Sequence, residues 1–346
     1  MEITAYLREL TVGDVKTVLE SITDVECKEN IFYSEQVDSQ NSLDGKIYRC
    51  VDHNLNIGLI RMTSYADGYM LSYWLEQTYR LSEYEKCILV LAENYLFELD
   101  QKTKLYIQVS YDNIATQVLA YRLGYSDYKC ERYMIFSKLV KKQDLGFLVK
   151  KNAVLLLTNN QNALPLYKWL CEYEHDAVTI YSGEVFENSI SFLDPKIVIS
   201  YNYKYIIGQN VIDNMGSAIY NMHISYLPYN RGAQPNFWSF IDDTPKGVTI
   251  HRLEHGLDKG DVICQKQLEF DESLETFAST YMKLNEEIVK LIEDNWEDIR
   301  NGSIKGKKQR GKGSYHDMKA FLRYTDQNPL DWNDSILDYK NRCKKC

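Results

Sequence analysis

At 346 residues the chain is long enough for two domains with separate cores, and a hydrophobic content of 45% is that of an ordinary globular protein. No window approaches the roughly 18 apolar residues of a membrane span, and the start MEITAYLREL has neither the apolar run of a secretory signal nor the basic character of a transit peptide, so a cytoplasmic protein is expected. A net charge of -9 argues against a general nucleic-acid binder, which needs a cationic field to displace counterions from phosphates. Eight cysteines are mostly scattered singly through apolar segments, as reduced thiols are, and the terminal CKKC has no further ligands at matching spacing, so no metal is expected. In chain order, KIYRCVDHNLNIGLIRMTSYADGYMLSYWL reads as three strands of an antiparallel meander broken by Asn-, Asp- and Gly-bearing turns. A helix follows in SEYEKCILVLAENYLFELD, with Cys87, Ile88, Leu91, Tyr95 and Leu99 near one face, then a strand in KLYIQVS and a second helix ending at Gly124.

This order, with DNIATQVLAYRLGY after a strand, resembles the acetyl-CoA-dependent GNAT acetyltransferases over roughly residues 1–139. The resemblance implies a pyrophosphate-binding turn opening the first helix, where bare backbone and the positive helix end favour anions. Here that turn is RLSEYE. Arg80 matches, but Glu83 and Glu85 replace small residues and bring negative charge. The expected first domain, 1–140, is therefore a degenerate GNAT-like α/β unit that does not bind acetyl-CoA and serves packing, dimerisation or acceptor positioning.

A charged stretch, VKKQDLGFLVKK, gives an expected linker at 141–151 and a second domain at 152–346 that ends in a C-terminal extension. The second domain alternates strands in NAVLLLT, AVTIYS, PKIVISY and SAIYNMHIS with helical segments, which predicts a Rossmann-like, mostly parallel sheet with helices on both faces. The functional crevice of such a sheet lies at the carboxyl ends of its strands. TNNQNALP carries no glycine fingerprint, so no dinucleotide is expected.

Asn221 and His223 stand two apart at a strand end and so project from one face. Downstream, TPKGVTIHRLEHGLDKGDVICQKQLEF reads as a strand, a tight turn and a returning strand, with Asp258 in the turn between Gly256 and Gly260. An amide donates to a developing oxyanion, an imidazole moves a proton at neutral pH, and a carboxylate orients the imidazole. Asp261 is the alternative carboxylate. His251 and His255 flank the motif and read as turn or supporting residues.

The pair NMHISYLPYNRGAQP and GVTIHRLEHGLDKGD resembles the folate-dependent formyltransferases over roughly 152–280. By that resemblance Asn221, His223 and Asp258 take the family's catalytic places, 10-formyltetrahydrofolate is the cosubstrate and an amine is the acceptor. The pterin loop corresponds to YNYKYIIGQN, which makes Tyr203, Lys204, Tyr205 and Ile207, with Asp261, the folate candidates; ordinary core packing is the alternative for the first four. Arg231, Trp238 and Lys312 are the substrate candidates. Arg231 equally suits a loop-positioning role, and Trp238 suits the core. Lys312 belongs to KGKKQRGKG, which either covers a diphosphate or is solvated.

KLNEEIVKLIEDNWEDIRNG is an acidic amphipathic helix with no basic barrel after it, which disfavours transfer RNA. TPKGVTIH, QKQLEF and QRGKGSYHDMKAF look most like the sugar-nucleotide formyltransferases, which implies an amino-deoxy sugar of a surface-polysaccharide or pseudaminic-acid-type pathway. The alternatives are a bifunctional acetyl/formyltransferase, a formyltransferase of another small amine, and a binding protein without turnover. A homodimer is compatible with all of them.

Overall fold

The computed structural model describes residues 2–3, 5–10, 46–80, 83–143, 147–148, 154–174, 177–215, 218–254 and 256–344. Two units emerge: Met1–Asn152 with Tyr181–Asp194, and Ala153–Ile180 with Pro195–Cys346. Of the expected linker, 144–146 and 149–151 lie outside the described residues. The return of residues 181–194 to the first unit is a crossing that a single boundary in the sequence does not contain.

In the first unit, β1 (Glu2–Ile3) pairs with β9 (Phe147–Leu148). Its main sheet holds β2 (Tyr6–Glu9), β3 (Ile47–Asp52), β4 (Leu55–Tyr65), β5 (Gly68–Leu75), β6 (Lys104–Ser110), β7 (Ser126–Lys129) and β8 (Tyr133–Leu139), in the order β2-β3-β4-β5-β6-β8-β7. The expected meander is β3 to β5, and both residues of its first turn, His53 and Asn54, have φ above zero, as a two-residue hairpin turn requires. β5 and β6 run parallel, but their pairing spans only Gly68↔Lys104 to Leu71↔Ile107 while both strands continue beyond it. The first helix, α1 (Tyr84–Leu99), buries every residue from Cys87 to Glu93, so it is a core helix rather than a one-faced one; Leu99, expected on the buried face, is its last residue and 55% exposed. A second helix, α2 (Ile114–Arg122), is capped by Asn113, whose side chain accepts from the Thr116 N–H at 3.2 Å.

The buried Glu93 carboxylate is met by the Lys138 ammonium at 2.8 Å and the Tyr125 hydroxyl at 2.9 Å. That satisfies a charge that would otherwise be costly in this core.

The second unit contains a six-stranded sheet with β10 (Val154–Leu157), β11 (Val178–Tyr181), β12 (Ile197–Tyr201), β13 (Ile219–His223), β15 (Lys246–Arg252) and β16 (Val262–Leu268), in the order β11-β10-β12-β13-β15-β16. β10, β12 and β13 are parallel neighbours, whereas β13–β15 and β15–β16 are antiparallel. The mostly parallel expectation thus holds in the sheet's middle, and at one side the expected tight turn returns the chain antiparallel from β15 to β16. Every residue of β10 and β12 is buried, which is why VLLL and IVISY are apolar runs without alternation. Around the sheet lie α3 (Leu164–Tyr173), α4 (Gln209–Met215), α5 (Pro235–Ile241), α6 (Phe277–Asp294), α7 (Trp296–Arg300), α8 (Met318–Gln327) and α9 (Ile336–Cys343). A short parallel ladder joins β14 (Arg231–Gly232) to β17 (Tyr315–His316), so the C-terminal segment is built into the loop that follows β13.

Candidate active site

Parallel pairing of β12 with β13 ends at Tyr201↔Met222, so the loop after β12 and the side chain of His223 emerge at the same edge of the sheet. On the other side, β13 pairs with β15 in the register Asn221↔His251 and His223↔Thr249. Asn221 and His251 are therefore cross-strand neighbours. The Asn221 amide nitrogen lies 3.2 Å from His251 Nε2 and donates to Asp258 Oδ1 at 3.3 Å. His223 Nδ1 faces Asp258 Oδ2 at 3.8 Å, and His251 Nε2 lies 3.5 Å from Asp258 Oδ1. Asp258 is thus the meeting point of the other two candidate catalytic residues, Asn221 and His223, and of His251.

The imidazoles are oriented by backbone carbonyls. A carbonyl only accepts, so His223 Nε2–H donates to the Asn230 carbonyl at 3.0 Å, and the neutral ring turns its Nδ1 lone pair toward Asp258. His251 Nδ1–H likewise donates to its neighbour, the Arg252 carbonyl, at 2.8 Å, which makes Nε2 the acceptor for Asn221 in the neutral ring. Asn230, with φ 56°, owes its place to the readiness of Asn for the left-handed region. Its N–H donates to Ser314 Oγ at 2.8 Å and its amide to Thr244 Oγ1 at 2.7 Å, which aims its carbonyl at His223.

Burial of the Asp258 side chain, 8% exposed, would raise its pKa, but His223 and His251 in their protonated forms and the Gly232 N–H at 2.8 Å outweigh it and hold the carboxyl well below the usual range. Gly232 has φ 90°, and a Cβ there would stand 2.2 Å from the His316 carbonyl oxygen, which accounts for the Arg-Gly of the motif. Asp258 itself has φ 51° and is clamped from the C-terminal segment. The Gln309 amide donates to the Asp258 carbonyl at 2.8 Å and the Gly260 carbonyl at 2.9 Å, while its oxygen accepts from Arg231 Nη2 at 2.6 Å and Nε at 3.1 Å.

Gln309→Ala would strip two carbonyls and a guanidinium of their partner at once, and each such loss costs about 1–3 kcal/mol when the group stays buried. A lower melting temperature and a fall in kcat of about tenfold, ~1.4 kcal/mol, are expected. Gln309→Glu should not rescue, because it sets a carboxylate against two carbonyls. Wild-type kcat and melting temperature in Gln309→Ala would rule the clamp out.

The other candidates divide. Arg231 contacts the Gln309 clamp, in keeping with a loop-positioning role. Asp261 uses its backbone carbonyl to accept from the Arg252 N–H at 2.9 Å, while the contacts to Asn221, His223 and His251 belong to Asp258. Trp238, expected against substrate, is a core residue: it is 5% exposed, packs with Phe237 and Phe277, and one indole face is covered by His316 with ring centroids 3.9 Å apart and planes 7° apart. Lys312 is exposed, as are Lys305, Lys307, Lys308 and Arg310 around it. In the loop after β12, Tyr203 and Tyr205 have ring centroids 5.5 Å apart, Lys204 stands over the Tyr205 ring, Ile207 is buried and Ile206 is 89% exposed. Asn159 fixes this loop by accepting from the Lys204 N–H at 3.1 Å. Sequence reasoning missed Asn230 and Gln309 and gave His251 only a supporting place; His255 lies outside the described residues.

The family model for formyl transferases matches residues 115–293, slightly more than half of the chain. Among solved structures, the formyltransferase PseJ from Anoxybacillus kamchatkensis, in complex with UDP-4,6-dideoxy-4-formamido-L-AltNAc and tetrahydrofolate, is 36% identical with a TM-score of 0.50, over 54% of this chain and 96% of that one. A dTDP-4-amino-4,6-dideoxyglucose formyltransferase of Mycobacterium tuberculosis is 34% identical over 134 residues, 38% of this chain and 56% of its own length. A methionyl-tRNA formyltransferase of Prochlorococcus marinus is 31% identical over 148 residues, 42% of this chain and 43% of its own length. The chain spans about half the length of these curated relatives. The family match takes in Asn221, His223 and Asp258 together, and this chain belongs to the formyl transferase family.

Proposed function

We propose that the protein transfers a formyl group from 10-formyltetrahydrofolate to the amine of a nucleotide-linked amino-deoxy sugar. The observation that carries this reading is the convergence of Asn221, His223 and His251 on the buried Asp258 carboxylate, at the crevice edge of a formyl transferase sheet. The sugar is supported by the 36% identity to PseJ over 96% of that chain, a protein solved with a UDP-linked 4-formamido sugar.

A finer reading makes the acceptor a 4-amino-4,6-dideoxy sugar of a pseudaminic-acid-type or surface-polysaccharide pathway, without nucleic acid as partner. It makes the first unit a GNAT-like domain that has lost acetyl-CoA binding and serves acceptor positioning or a homodimer, in a cytoplasmic enzyme. Support for the GNAT-like part is the parallel β5–β6 pair that parts at Leu71 and Ile107 ahead of α2.

The loop after β12 suits a pterin, since Ile206, Tyr203 and Tyr205 offer an apolar surface beside exposed backbone, as flat heterocycles require. When bound, 10-formyltetrahydrofolate supplies the electrophilic formyl carbon. Asn221 turns an amide hydrogen to the formyl oxygen as negative charge develops there. His223 Nδ1 takes the proton that the attacking amine sheds and returns it to the donor nitrogen as that nitrogen's bond to the formyl carbon breaks. Asp258 stabilises the imidazolium between these two transfers.

The test is turnover of labelled 10-formyltetrahydrofolate by the full chain with UDP- and dTDP-linked 4-amino and 3-amino sugars, free amino sugars and methionyl-tRNA. Label in a nucleotide-linked formamido sugar is expected. Label in methionyl-tRNA alone, or in no acceptor, would refute the reading.

A further inference from the structure

The ladder between β14 and β17 is two residues long on each strand, with Arg231↔Tyr315 and Gly232↔His316 in register. So short a pairing is marginal in water by itself, and side chains must fix it in place. Upstream, Ser314 Oγ does so by accepting from the Asn230 N–H at 2.8 Å. Tyr315 is 57% exposed, which leaves the downstream half to His316. The His316 imidazole lies flat on the buried Trp238 indole, and its Nε2–H donates to Asp242 Oδ2 at 2.6 Å. Trp238 and Asp242 stand one helical turn apart, the Asp242 N–H donating to the Trp238 carbonyl at 2.9 Å, so one face of α5 presents both groups to one ring.

This anchor reaches Asp258 through the backbone. The Arg231 N–H donates to the Ser314 carbonyl at 3.1 Å and the Ala233 N–H to the His316 carbonyl at 2.8 Å. Successive amides of a paired strand point to opposite sides, so with both of its neighbours turned to β17 the Gly232 N–H faces the other way. There it meets Asp258 Oδ2 at 2.8 Å, the oxygen that also faces His223 Nδ1. That bond favours the ionised carboxyl. Gly232, with φ 90° and no side chain, has no hold of its own on this direction once the ladder is lost.

We infer that His316 is a positioning residue for formyl transfer: its side chain docks β17 on α5, and β17 in turn aims the Gly232 N–H at Asp258. On the formyl-transfer reading above, on which this role rests, Asp258 is the carboxylate that serves His223. Among the described residues, no hydrogen bond or ion pair joins the His316 side chain to Asp258 or His223, so its effect travels through Gly232. The loss of His316 should therefore act on the chemical step and leave folate affinity alone.

His316→Ala in the full chain is the test, at a temperature where circular dichroism shows wild type and variant both folded. With labelled 10-formyltetrahydrofolate and the acceptor that wild type uses, kcat should fall about tenfold while KM for the folate stays within about twofold. The Gly232 amide, followed by TROSY NMR, should exchange its hydrogen at least about tenfold faster. His316→Gln, whose amide nitrogen reaches about as far as Nε2, should recover kcat to within about threefold of wild type. Wild-type kcat in His316→Ala, a fall in kcat with Gly232 protection unchanged, or no recovery in a folded His316→Gln would each overturn the role. If His316→Ala does not fold, Asp242→Ala decides, since it removes the acceptor of Nε2–H: slower turnover together with faster Gly232 exchange supports the role, and a wild-type value of either refutes it. A wild type that formylates no acceptor would overturn the formyl-transfer reading and this role together, whereas an active wild type with unaffected variants would overturn this role alone.

Discussion

Replacement of His223 by alanine is expected to lower formyl transfer by about 10²–10⁴-fold, the usual span for a positioned acid–base group, while folate affinity stays near that of wild type. The reason is geometric. Nε2 is committed to the Asn230 carbonyl, so the ring works through Nδ1, which lies 3.8 Å from Asp258 Oδ2, whereas the candidate pterin loop follows a different strand. Alanine leaves the Asn230 carbonyl without a donor and Asp258 without one of its facing groups, so melting temperature should also fall modestly. His223→Gln is the discriminating variant, since its longer amide can still donate to the carbonyl but cannot shuttle a proton. Stability recovered without turnover is expected for His223→Gln. Turnover of either variant near wild type would remove His223 from the reaction.

Asp258→Asn should cost up to about 10⁴-fold in turnover, as for a carboxylate that orients a catalytic imidazole, and should change acid stability in a defined direction. The native carboxyl accepts from the Gly232 N–H at 2.8 Å and from the Asn221 amide at 3.3 Å, and an asparagine would set an N–H₂ against one of these donors. Its native pKa lies below the ordinary 3.8 of the unfolded chain, although burial works the other way, because His223, His251 and Gly232 favour the charged form. A depressed native pKa means the folded state binds the proton less readily than the unfolded one. The ionised carboxyl therefore adds stability above about pH 4 and loses it as pH falls through the native value. Urea denaturation of both proteins should show wild type clearly more stable at pH 6–7, with the gap closing toward pH 2–3. A gap independent of pH would mean that packing, not charge, explains the variant.

Much of the second unit was legible because its signals are local. Apolar runs without alternation mark β10 and β12, and the Asn-x-His spacing puts both side chains on one face of β13. What holds those side chains was hidden, because the partners are distant in sequence and chemically ordinary. Nothing in Gln309 marks it as the clamp on Asp258, and only the antiparallel register of β13 with β15 sets His251 beside Asn221. For Trp238 the sequence left substrate and core open, because an indole near a motif serves either equally well; in the fold it is buried, and His316, 78 positions later, covers one face. Glu85 stands in the turn that the GNAT resemblance likens to a phosphate-binding one. Its hydroxyl partners, however, come from β5 and α2, and Leu81 and Ser82 of that turn lie outside the described residues.

The short ladder between β14 and β17 also bears on the order in which the protein is made. Asn221, His223 and Asp258 leave the ribosome before Gln309, Ser314 and His316, yet these later residues clamp the Asp258 backbone, receive the Asn230 N–H and pair with Gly232. A nascent chain that has completed β16 carries the candidate side chains on a finished sheet but lacks the groups that hold them. On the proposed reading, activity is expected only after the segment around residue 316 has emerged and docked.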